Sequence, residues 1–214
     1  MNYADTEKLA AELKKYRSKK KTDDYGWNNT ALNVIDCILS LNRKYFAFCK
    51  PRVEEFRRNH PDVRTVLQLQ KMLNLDTPDL FLKKELRYSH VKRAEMLYGL
   101  VNCLSDFFRE SSKKVSPDID DRSFFKDWAE KTDYSDYKNY KISGFGIAGF
   151  QYLRMLFGAN TTKPDIHIVR FVSGVLKRNV SQEETVVLME QAARIAGVHL
   201  RTADGEIWNS LADK

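Results

Sequence analysis

The sequence predicts an all-α protein, and three observations predict it. Apolar residues recur at helical spacing, as in Leu9, Leu13 and Tyr16, or in Ala94, Leu97, Leu100, Val101, Leu104 and Phe107. Polar residues suited to helix caps, among them Asn28, Asp165 and Ser181, stand before several of these runs. Around the glycine-rich centre of the chain, no segment has the Val and Ile density of a buried parallel strand.

Taken in order, the first helix is expected over Thr6–Lys20, ending in the basic run Arg17–Thr22, which reads as a solvated helix end. Asp23–Trp27 is a connection, and Asn28–Leu41 a second helix with Leu32, Val34, Ile35, Ile38 and Leu39 turned inward. A third helix starts near Pro51, because proline suits a first turn, and runs to Arg58. After a turn at Asn59–Asp62, two short helices are expected over Val63–Leu73 and Pro78–Leu86. A long one follows through Phe108, with His90 as a helix-start residue rather than a ligand. Ser116–Arg122 is a polar turn before a helix over Ser123–Thr132. Near the C-terminus, Asp165 caps a helix to Lys177 and Ser181–Val198 opens as a capping box. Leu200–Gly205 reads as a loop and Ile207–Leu211 as a last short helix, with Trp208 in the core.

The chain has 214 residues, of which 43% are hydrophobic, enough for one domain or two small lobes. A net charge of +7 favours a polyanionic partner, although a merely basic soluble protein would carry the same charge. Cys37, Cys49 and Cys103 are too scattered for a metal cluster and odd in number, which points to reduced thiols and an intracellular location. No signal-peptide pattern and no apolar run of membrane-spanning length is present.

The stretch Ile142–Gly149 concentrates three glycines, Gly144, Gly146 and Gly149, ahead of an apolar helical run. A helix opening there offers bare N–H groups and a positive dipole end to a phosphate. The spacing is G-x-G-x-x-G, yet Asp136–Ile142 lacks the character of a strand and no strand-like run follows, which argues against a dinucleotide turn. The competing reading is a hairpin: a helix over Ser135–Ile142, a turn over Ser143–Ile147 and a second helix over Ala148–Phe157.

These residues resemble the helix-hairpin-helix DNA glycosylases, relatives of endonuclease III and of the 8-oxoguanine and adenine glycosylases. The resemblance rests on Ile142-Ser143-Gly144-Phe145-Gly146, followed at the family's separation by Asp165-Ile166-His167 and Arg170. It implies a two-lobed helical protein with DNA in the cleft. One lobe would span residues 25–161 and hold the hairpin; the other would join 1–24 to 162–214.

By the same resemblance, Asp165 assists hydrolysis of the N-glycosidic bond of a flipped, damaged or mispaired base in duplex DNA. Gly144, Gly146 and Gly149 admit the DNA phosphate, and His167, Arg170 and Arg43 hold the backbone. Asn42 fills the gap left by the flipped base, with Arg43, Lys44 and Tyr45 offering phosphate contacts and a stacking surface. Carbonyls of Tyr140, Ile142 and Phe145 match positions that hold a structural monovalent cation. Two departures bear on the chemistry. Ala148 stands where bifunctional members carry a Schiff-base lysine, so lyase activity is expected to be weak or absent and water to be the nucleophile. No cysteine follows Cys103, so no iron-sulfur cluster is expected. The chain is expected to act as a monomer without a required cofactor. A non-catalytic DNA-binding protein would carry the same hairpin.

Overall fold

The computed structural model describes residues 3–16, 26–112 and 116–212. Among them every regular element is helical: α1 (Tyr3–Leu13), α2 (Thr30–Ser40), α3 (Lys50–Asn59), α4 (Val66–Leu73), α5 (Pro78–Leu86), α6 (Val91–Ser111), α7 (Arg122–Lys131), α8 (Ile147–Phe157), α9 (Ile166–Leu176), α10 (Gln182–Ala196) and α11 (Leu200–Ala212). The all-α expectation holds. The basic run Arg17–Thr22 lies outside the described residues.

Local chemistry sets many of the boundaries. The Asn29 side chain caps α2 by accepting from Leu32 N, and Thr65 with Gln68 forms a capping box on α4. Pro78 occupies the first turn of α5, where its missing N–H costs nothing. His90 is a cap, accepting from Arg93 N on α6, in line with the helix-start role expected of it. Ser181 caps α10 through Glu184 N.

Three expectations are corrected. A π-helical turn over Tyr45–Cys49 precedes α3, so the chain coils before Pro51. The first arm of the hairpin is a 3-10 helix over Tyr134–Asn139, shorter than Ser135–Ile142, and Lys141 after it takes a left-handed φ of 50°. The expected loop Leu200–Gly205 is helical: α11 runs unbroken through Gly205, because Leu200, Ala203, Asp204 and Ile207 are buried and packing outweighs the glycine's poor helix propensity.

Buried apolar side chains form two separate clusters. The larger draws on residues from Ala31 to Ala159, including Ile35, Phe56, Phe81, Phe125 and Phe150. The smaller combines Leu9, Ala10 and Leu13 of α1 with residues from Ile168 to Ile207. Although it is first in the chain, α1 packs on α10 and α9. Helix α2 is buried along its entire length, which places whatever its polar side chains do inside the protein.

Candidate functional site

The hairpin closes through Phe145 N donating to Ile142 O at 3.1 Å. Gly144 has a φ of 78°, which favours glycine; a Cβ there would meet Met96 Cε at 2.8 Å, a flexible side-chain end that can move aside. Gly146 is the N-cap of α8; it is exposed, has no side chain to satisfy the first turn, and a Cβ on it would meet nothing within 4 Å. The first N–H groups of α8 thus have no side-chain cap. Gly149 differs: it is buried, and a Cβ there would lie 2.9 Å from the Phe145 ring and 3.3 Å from Leu41 Cδ2. Its missing side chain serves packing, not phosphate contact. Tyr140 ends the 3-10 helix, Phe145 is buried, and the Ile142 carbonyl already accepts one hydrogen bond.

Asp165 heads α9, with Oδ1 accepting from His167 N at 2.9 Å and Ile168 N at 3.2 Å. Its Oδ2 accepts from no described residue, and the side chain is half-exposed, so one carboxylate oxygen is fixed and the other open. The His167 ring lies edge-on to Trp208 at 6.1 Å between centroids, and Arg170 and Ile166 are exposed on the first turns of the same helix. Trp208 is half-buried, not a core residue: its ring centroid lies 6.1 Å from that of His167 and 6.3 Å from that of Phe46.

In the turn after α2, Asn42 is exposed with a left-handed φ of 55°. Arg43 folds back, donating to the Tyr88 hydroxyl at 2.9 Å and lying over the Phe48 ring, so part of its donor capacity is taken. Tyr45 is turned inward and Phe46, 63% exposed, presents the open ring. Tyr45 thus exposes less of its ring than Phe46 beside it.

Sequence spacing missed a polar cluster beneath this surface. Asp36 on α2 is fully buried and accepts from Trp27 Nε1 at 2.7 Å, Tyr45 Oη at 2.9 Å and Tyr152 Oη at 2.9 Å. Burial raises its pKa, and these three donors and the charge of Lys163 oppose the rise. Burial, reinforced by the Asp36 charge, likewise pushes the Tyr45 phenol up. Lys163 Nζ sits 3.9 Å from the Tyr152 ring centroid. Tyr152 lies one helical turn beyond Ala148 on α8, so this contact brings the segment that carries Asp165 to the face on which Ala148 stands. A second buried carboxylate, Asp204 of α11, holds the same segment: it accepts from Thr162 Oγ1 at 2.5 Å and Lys163 N at 3.0 Å. Burial, with a smaller push from the Asp165 charge, raises its pKa to about 7. No signal in the linear sequence marks Asp36 or Asp204, because their partners are distant in the chain.

A cleft of about 1040 Å³ lies elsewhere: it opens at the C-terminal end of α8, between α7 and α10, and Asp165 and the hairpin do not line it. Among the described residues no group of three or more His, Cys, Asp or Glu side chains is placed to hold a metal ion, and no helix is long and apolar enough to cross a membrane.

Over residues 131–212 the chain matches the family model described as a domain of unknown function, DUF8548, a stretch that takes in the hairpin, Asp165 and α11. No curated protein and no solved structure is found to match the chain.

Proposed function

We propose that the protein is a DNA glycosylase that hydrolyses the N-glycosidic bond of a flipped, damaged or mispaired base, with little or no lyase activity. The observation that carries this reading is the Lys163–Tyr152 contact, because it draws a half-exposed carboxylate at the head of one helix toward the hairpin helix α8, whose first turn is open. In this reading the two apolar cores are two lobes, and duplex DNA lies across both.

A backbone phosphate would take the bare N–H groups at Gly146, with Gly144 leaving the turn uncluttered. His167, Arg170 and the free part of Arg43 would supply further phosphate contacts. Asn42 and the Phe46 ring, both exposed, would supply the wedge into the base stack. Base loss builds positive charge on the deoxyribose; Asp165 Oδ2, free of internal donors, would face that charge and orient the attacking water. Ala148 leaves no amine at the family's nucleophile position, so the abasic product would be released uncut. Carbonyls of the hairpin turn offer a place for a monovalent cation, with one lone pair of Ile142 O still open; no chemical step depends on it.

The experiment is incubation with labelled duplexes that each carry one lesion: an alkylated purine, 8-oxoguanine, uracil, hypoxanthine, or adenine opposite a damaged guanine. Strand breaks that appear only after hot alkali are the expected result and identify the substrate. Tight binding without breaks on any duplex would replace the enzyme with a non-catalytic DNA-binding protein.

A further inference from the structure

Arg154, on the last turn of α8, is only 6% exposed. Its Nε donates to Ala129 O at 3.0 Å and its Nη1 to Gln151 Oε1 at 2.6 Å. Both acceptors are neutral. Among the described residues Nη2 has no acceptor and no carboxylate pairs with the guanidinium. The acid whose field acts most on it, Glu190, is held by Thr161 Oγ1 at 2.8 Å. Burial accordingly lowers the pKa of this arginine, as expected of a charge whose lost hydration is not made good. Its Nη2 is not sealed from solvent, so the spare donor is open to a ligand that enters the cleft.

The space beside it can hold one. Arg154 lines the cleft of about 1040 Å³ that opens between α7, the end of α8 and α10. Lys126 and Arg194 line it too; both are exposed and neither pairs with a carboxylate among the described residues, Arg194 donating only its Nε, to Glu190 O at 3.3 Å. Arg122 and Arg201 also reach the wall but are engaged, Arg122 with Asp120 and Arg201 with Met155 O. Glu130 and Glu190 are the acids of the lining, so cations exceed acids by five to two.

We propose that this cleft binds a phosphate group, with Arg154 as its buried anchor and Lys126 and Arg194 at its rim. With Arg122 paired to Asp120, four cations of the lining face Glu130 and Glu190, and the net charge of +2 matches the roughly two negative charges of a phosphate. A phosphate on a free small molecule and one in a nucleic-acid strand present the same oxygens to these groups. Neither Asp165 nor the hairpin lines the cleft, so the site stands whether or not the glycosylase reading does.

The test is calorimetric titration of the intact protein with inorganic pyrophosphate, and in a second arm with a short single-stranded oligodeoxynucleotide. Each is repeated on Lys126→Glu, Arg194→Glu and Arg154→Gln, with Gly146→Ala as the control for the hairpin. The rim variants change exposed side chains and keep the fold, so they decide the matter even if Arg154→Gln is unstable. The expected result is saturable pyrophosphate binding that weakens at least about tenfold in each rim variant, where a charge-assisted contact is lost and a repelling charge is added, and that persists in Gly146→Ala. If pyrophosphate does not bind but the oligonucleotide loses the same factor in the rim variants, the phosphate belongs to a strand and the site stands. Binding of neither ligand, rim variants that bind as the parent does, or loss confined to Gly146→Ala would overturn the assignment.

Discussion

Lys163 holds its ammonium group 3.9 Å above the ring centroid of Tyr152, and the hydroxyl of that same ring donates to the buried Asp36 at 2.9 Å. One aromatic side chain thus ties the segment before Asp165 to a carboxylate at the centre of α2. Tyr152→Phe keeps the ring face and removes one of three oxygen or nitrogen side-chain donors to Asp36, Cys49 Sγ being a fourth, weaker donor at 3.7 Å. It should lower stability by about 1–3 kcal/mol, the cost of leaving a buried polar group short of a partner. Urea unfolding checks this; a midpoint unchanged from the parent would mean that Trp27 and Tyr45 suffice.

Asp165 has a capping role and a proposed chemical role, and two substitutions separate them. Asn caps a helix about as well as Asp, so Asp165→Asn should keep the melting temperature while base release falls at least about 100-fold. Asp165→Ala should lose the activity and also about 1 kcal/mol of stability. Thermal unfolding beside single-turnover base release gives both numbers. Full activity in the Asn variant would remove Asp165 from the chemistry.

The hairpin glycines should divide by role. Gly149→Ala places a methyl group 2.9 Å from the Phe145 ring and should destabilise the fold by about 1–3 kcal/mol through overpacking. Gly146→Ala meets nothing within 4 Å, so it should fold normally and weaken duplex binding by crowding the approach of a phosphate. Denaturation curves and salt-dependent DNA titrations distinguish the two. Equal DNA affinity for Gly146→Ala and the parent would show that no backbone phosphate approaches that turn.

Asp204 makes stability depend on pH in a stated direction. Burial raises its folded-state pKa from 3.8 to about 7, so the folded state keeps a proton that the unfolded state releases between these values. The stabilisation is complete below about pH 3.8 and is lost as pH rises through about 7. Asp204→Asn stays neutral, and its stability relative to the parent should rise by about 2–4 kcal/mol between about pH 4 and pH 8. Denaturant unfolding at several pH values measures it; parallel pH profiles for the two proteins would mean that Asp204 stays charged in the fold.

Where a boundary depends on a few neighbouring residues, it is legible in the chain. Pro78 at a first turn marks α5 to the residue, Asp165 and Ser181 announce α9 and α10, and His90 starts α6. The glycines of the hairpin were equally legible as a site for a close turn, although spacing did not distinguish Gly149, which packs, from Gly146, which opens to solvent. The last helix was misread because Gly205 looks like a breaker locally, whereas the burial of Leu200, Ala203 and Ile207 that overrides it comes from the rest of the fold.

The sequence by itself determined that the protein is helical, where most helices begin, and that a glycine turn and a capping aspartate stand in order before two of them. Those features follow from interactions within about one helical turn, which spacing encodes directly. The tertiary structure alone decided that Asp36 is buried among Trp27, Tyr45 and Tyr152, that Asp204 grips the loop at Thr162 and Lys163, and that Arg154 bonds only neutral acceptors at the wall of a cleft. Each depends on partners carried by other elements, Tyr152 lying 116 positions from Asp36. Charge, burial and donor count there are properties of the packed chain, because desolvation is set by what closes over a side chain and not by its neighbours in sequence.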